Sequence, residues 1–105
     1  MNIVINVINQ ELKLTSNVGK LISGTKGFIK FCFILDSSWD DLTVFARFVQ
    51  DGVSYDEYLD ENNIAILPDD ITSGEVKIML CGSDTNVTVI TNYISLDFGE
   101  NILIL

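Results

Sequence analysis

Apolar and polar positions alternate with a period of two along nearly the whole chain, the repeat of a strand whose successive side chains point to opposite faces. In "NIVINVIN" at the start, Ile3, Ile5 and Val7 form one fully apolar face, with Val4, Asn6 and Ile8 on the other, which predicts a first strand. "GFIKFCFIL" follows the KLISGTKG turn region and predicts a second. "LTVFARFVQ" sets Leu42, Val44, Ala46 and Phe48 against Thr43, Phe45, Arg47 and Val49, so Arg47 and Lys30 are expected to face outward on neighbouring strands. "SGEVKIMLCG" groups Val76, Ile78 and Leu80 opposite Lys77, "VTVITNYISLDF" predicts a long extended segment bent at Thr91-Asn92, and "ILIL" predicts a last strand. No window shows the i, i+3, i+4, i+7 spacing of an amphipathic helix. A single helical turn is expected at "PDDITSG", where Pro68 suits a first turn and Gly74 an ending.

About seven short strands separated by turn signals predict an all-β fold, an antiparallel β-sandwich, with a small barrel as the alternative. At 105 residues the chain is expected to be one domain, 1–105, since a single core still grows at this length. The longest apolar runs fall far short of the ~20 residues of a membrane span, and Met1-Asn2 opens directly into alternation, so neither a membrane segment nor a signal peptide is expected.

Charge changes the picture. The net charge is −9, but residues 1–30 carry +3 and the remainder −12. So acidic a chain repels phosphate backbones and anionic membrane surfaces, which argues against nucleic-acid or membrane binding. Cys32 and Cys81 each sit in a strand-like run; buried thiols are the expected reading, a cross-sheet disulfide the alternative.

Candidate chemistry is sparse. The chain has no His, which removes Ser-His-Asp and Cys-His arrangements, and CxxC, GxxxxGK[ST], GxGxxG and GxSxG are all missing. The expectation is therefore a protein that is not an enzyme, with no cofactor and no catalytic residues. "DEYLDEN" (Asp56, Glu57, Asp60, Glu61) and Asp69-Asp70 are oxygen-rich, yet lack the DxDxDG spacing of a calcium loop. Phe28, Phe31, Phe33, Phe45 and Phe48 fall at core spacing, and Tyr93 at a half-buried strand position. Tyr55 and Tyr58, flanked by carboxylates, are candidate partner contacts. Trp39, in "DSSWDD", either folds back to plug the end of the sandwich, its indole N–H reaching a polar neighbour such as Asp41, or stands exposed as a contact residue; the plug is preferred.

The ordered set "SSWDDLTVFARFVQDGVSY", "SGEVKIMLCG" and "VITNYISLDF" resembles the small N-terminal β-sandwich domain of tail and baseplate proteins, of the baseplate upper protein type, from phages and prophages of Gram-positive bacteria. The shared features span about residues 28–98: a loop Trp before a strand bearing Ala46 and Phe48, the Asp51-Gly52 turn, Pro68, the "GxVxxxLxG" strand (Gly74, Val76, Leu80, Gly82) and the Thr91-Asn92 step. The resemblance implies an immunoglobulin-like, non-enzymatic virion module, made in the bacterial cytoplasm, that attaches or assembles a tail or baseplate component. Its implied partners are other virion proteins or copies of itself. A separately expressed domain or short accessory protein is expected, because the linker and distal modules usual in such proteins do not follow. The alternative is a small carbohydrate- or calcium-binding sandwich using Trp39, Tyr55 and Tyr58 with nearby carboxylates. The charge asymmetry adds two open readings: copies that meet head to tail with Lys13 and Lys20 at a basic edge, as a homo-oligomer, or a monomer whose lysines are simply solvated.

Overall fold

The computed structural model describes residues 1–16, 21–22 and 27–99 of the chain. Ten strands run through them in order: β1 (Asn2–Ile8), β2 (Glu11–Leu14), β3 (Leu21–Ile22), β4 (Lys30–Leu35), β5 (Thr43–Gln50), β6 (Val53–Tyr58), β7 (Ile64–Ile66), β8 (Gly74–Ser83), β9 (Thr88–Ile90) and β10 (Ile94–Gly99). They form two packed sheets, a β-sandwich. The first sheet has the order β2-β1-β4-β7; the second has β3-β10-β8-β5-β6, with β9 beside the far half of β8. Among the described residues no helix is long and apolar enough to cross a membrane.

The period-two reading accounts for the layers. Ile3, Ile5 and Val7 of β1, Phe31 and Phe33 of β4, Ala46 and Phe48 of β5, and Val76, Ile78 and Leu80 of β8 are all buried between the sheets. Phe31 meets Phe48 across the layers with ring centroids 5.2 Å apart, a tilted arrangement favoured by the ring quadrupoles. Turn chemistry sets the registers. Asp51 and Gly52 both have positive φ, 52° and 79°, the two-residue hairpin whose twist matches the flanking strands β5 and β6. Asn9 turns β1 into β2 at φ 54°, a region that Asn enters more readily than most side chains.

Several expectations are corrected. Among the described strands two pairings are parallel: β1 lies beside β4 from Asn2↔Lys30 to Val7↔Leu35, and β10 beside β3. The reason is that the chain leaves the β1–β2 hairpin, visits the edge of the second sheet as β3, and returns as β4 to the open side of β1. Lys30 and Arg47 do sit on outward positions, but in different sheets, because the chain crosses layers between β4 and β5. That crossing contains the one 3-10 turn among the described residues, Ser37–Trp39. At Pro68 there is instead a simple turn, closed by the Ile71 N–H donating to the Pro68 carbonyl at 3.3 Å. It inserts Ile71 into the core, and buried Gln50 anchors the following Thr72 through its amide: Nε2–H donates to the Thr72 carbonyl at 2.7 Å and Oε1 accepts the Thr72 N–H at 2.8 Å. Phe28 is exposed and Phe45 points away from the core. The "ILIL" segment lies outside the described residues.

Both cysteines are free. They occupy outward positions on opposite sheets, and stacked sheets lie about 10 Å apart, too far for a disulfide. Burial pushes the Cys81 thiol up from its ordinary value.

Candidate functional site

Trp39 organises one end of the sandwich. Asp36 opens the 3-10 turn, its carboxylate accepting the Ser38 N–H at 3.0 Å and the Ser38 hydroxyl, which fixes the angle at which the turn presents the indole. The ring is buried, and Nε1–H donates to the Asn9 carbonyl at 2.7 Å. Asp36 reaches the same turn, accepting the Asn9 N–H through its other oxygen at 2.7 Å. The expected plug is present, with Asn9 in place of Asp41 as the partner; Asp41 is exposed at φ 64°. Being buried, Trp39 is not a surface contact, which corrects its place among the contact candidates.

The Thr91-Asn92 step closes the same end from the second sheet. Thr91 lies between β9 and β10 alongside β8: its N–H donates to the Leu80 carbonyl at 3.1 Å, while its hydroxyl accepts the Leu80 N–H at 2.9 Å and donates to the Asn92 carbonyl at 2.7 Å. Asn92 then bridges to the first sheet: its Oδ1 accepts the Leu12 N–H at 2.7 Å and its N–H donates to the Gln10 carbonyl at 3.2 Å. Beside this clasp runs an open groove of about 870 Å³, lined by Asn6, Gln10, Glu11, Lys13, Thr15 and Asn92 among others. Its chemistry is that of amides with one exposed carboxylate and one exposed lysine, Glu11 and Lys13 on edge strand β2. Lys20 lies outside the described residues.

The aromatic platform imagined for a sugar does not form. Tyr55 pairs with Phe48 and shares its inward side of β6, whereas Tyr58 pairs with Phe45 on the outward side, ring centroids 5.6 Å apart. With Trp39 inside, the three rings do not converge. Nor do the carboxylates gather: Asp56 grips Arg47 with two hydrogen bonds of 2.8 and 2.9 Å, and Asp60 accepts the Asn62 and Ile64 N–H groups in its own turn. Among the described residues no three metal-ligating side chains are grouped to hold an ion.

Among the described residues two carboxylates have lowered pKa values. The Ser38 hydroxyl, then the Asn9 N–H, hold Asp36 below the ordinary 3.8, and the Arg47 guanidinium does the same for Asp56. Folding gains from each carboxylate above pH ~4, where it is charged in both states, and the gain drains away as pH falls through the lowered folded-state values. Asp36→Asn is expected to destabilise the protein at neutral pH and by less at acidic pH, because the gain from the carboxylate drains away as it protonates; paired urea titrations at the two pH values check this. An equal deficit at both pH values would mean that geometry, not charge, is what Asp36 supplies.

What sequence reasoning missed are the outward faces. On the first sheet Ile8, Ile34 and Ile66 are exposed, beside half-buried Val4, Cys32 and Ile64. On the second, Tyr58, Phe45, Cys81 and Ile90 form one row by strand register, with Met79 and Tyr93 beside it. Arg47 stands 5.4 Å over the Phe45 ring and Lys77 4.7 Å over that of Tyr93. The signal was in the runs "FCFIL" and "VFARFV", apolar at both parities, which is the pattern of strands covered on two faces.

Fold and site together define an all-β sandwich closed at one end by a tryptophan plug and apolar on parts of both outer faces. No family model, curated protein or solved structure was found to match the chain.

Proposed function

We propose that the chain is a non-enzymatic structural module of a phage or prophage virion, which attaches or assembles a tail or baseplate component through its sheet faces. The observation that carries this reading is the pair of outward apolar faces: a folded monomer already has its core, yet Ile34 and Ile90 remain 53% exposed and Tyr58 68%. Large apolar side chains left exposed on a sheet face, after the core is filled, are suited to contact with another protein. The resemblance over residues 28–98 supplies the class of partner. Its features also have physical roles here: Trp39 plugs the end, Asp51-Gly52 turns the hairpin, and Asn92 ties the two sheets. In this reading the protein is made in the bacterial cytoplasm and ends in the virion.

The test is to express the tagged chain with its neighbouring reading frames, induce particle formation, and fractionate on a density gradient. The chain is expected to co-sediment in fixed ratio with tail structures; recovery only at the top of the gradient overturns the reading. A ligand-binding alternative has the amide-lined groove in its favour. Calorimetric titration with glycans and with Ca²⁺ separates the two, since the assembly reading expects no heat from either.

A further inference from the structure

We infer that copies of this chain stack head to tail, the outer face of the first sheet of one copy lying on the outer face of the second sheet of the next. The inference rests on the assembly reading and names the partner of those faces.

Three observations on the two faces lead to it. First, the apolar fields lie on opposite sides of one sandwich, Ile8, Ile34 and Ile66 on one side and Tyr58, Ile90 and Tyr93 on the other. A two-fold contact joins like to like and covers only one field in each copy. A heterologous contact covers both, and repeats into a ring or a stack.

Second, the charges on the two faces are opposite in balance. The outward strand positions described for the first sheet carry Lys13 and Lys30 against Glu11. Those of the second carry Asp56, Glu75 and Asp97 against Arg47 and Lys77. First face on first face brings lysines together, and second on second brings carboxylates together; only the mixed pairing is complementary.

Third, the second face holds a built-in repulsion. Glu75 and Asp97 are direct cross-strand partners, both exposed, and like charges so placed destabilise a sheet. The nearest cation in register, Lys77, stands over the Tyr93 ring. Among the described residues Lys13 and Lys30 have no carboxylate within ion-pair distance, so a lysine from the facing copy relieves the repulsion.

The experiment uses the full chain and two variants, Ile34→Glu on the first face and Ile90→Lys on the second, both at exposed positions where folding is unaffected, as thermal melts will verify. Light scattering is expected to show an oligomer for the parent at high protein concentration and a monomer for each variant alone. The equimolar mixture is the decisive sample: each variant keeps the face the other has lost, so a heterodimer of one copy of each is expected. A variant that still forms a homodimer overturns the head-to-tail arrangement in favour of a two-fold contact. A parent that stays monomeric overturns self-stacking outright. If that monomer nevertheless enters particles in the density gradient, another virion protein covers the faces and the assembly reading survives without this inference; if it does not, both fall.

Discussion

Replacing Trp39 by Ala is expected to cost about 3 to 5 kcal/mol, the range for truncating a large buried aromatic that leaves a cavity behind. Against a total stability of about 5 to 15 kcal/mol, this brings the chain close to unfolding at body temperature, with the melting temperature falling by about 15 °C or more. Two losses combine. The indole, 3% exposed, fills the sandwich end beside Gly82 and Leu42, and its N–H is the hydrogen-bond partner of the Asn9 carbonyl. Trp39→Phe separates them: it keeps most of the packing and gives up the hydrogen bond, for an expected loss of about 1 to 2 kcal/mol. Urea unfolding followed by circular dichroism suits the series, because Trp39 is the only tryptophan and its removal abolishes the fluorescence probe. An unchanged melting temperature in Trp39→Ala, accompanied by loss of oligomerisation, would contradict the plug and make the residue a contact.

The second large effect is expected at Gly82. A Cβ built on this glycine lies 2.8 and 2.9 Å from two carbons of the Trp39 ring, closer than real Cβ atoms approach, and 3.1 Å from Leu42 Cδ1, a tight contact. The ring cannot simply tilt away, since its 2.7 Å hydrogen bond to Asn9 pins the far side. Gly82→Ala is therefore expected to cost about 1 to 3 kcal/mol by overpacking, and Gly82→Val more. The two predictions are coupled. In the Trp39→Ala background the added methyl enters vacated space, so the Gly82→Ala penalty should vanish or reverse, giving an interaction of about 1 to 3 kcal/mol in a four-variant cycle. Strict additivity would show that the two side chains do not compete for the same space.

These residues also show how far the sequence carries. Val76, Ile78 and Leu80 on one parity of β8, and Ile3, Ile5 and Val7 on one parity of β1, are buried as alternation requires. Strand parity is a local property, because consecutive side chains must point to opposite faces whatever the rest of the chain does. Asp51-Gly52 was legible for the same reason: the hairpin needs two residues of positive φ, and that need is met within the dipeptide. A buried Trp39 could also be argued from one residue, since a large apolar ring in a polar break has little else to cover it.

Which strand lies beside which could not be read in this way. The parallel pairing of β1 with β4 joins segments about thirty residues apart and depends on the chain visiting the second sheet between them. Trp39 Nε1 finds Asn9 and not the adjacent Asp41 because the plug is completed by a turn thirty positions earlier in the chain. Arg47 and Lys30 were assigned correctly to outward positions, but the crossover at Ser37–Trp39 put them in different layers. Period two alone thus determined that the chain is all-β and which side chains of a strand share a face. The partners of each strand, the closure of one end around the indole, and the gathering of Tyr58, Phe45, Cys81 and Ile90 into one row were decided by tertiary structure, because hydrogen-bond ladders and face neighbours join residues that no local pattern connects.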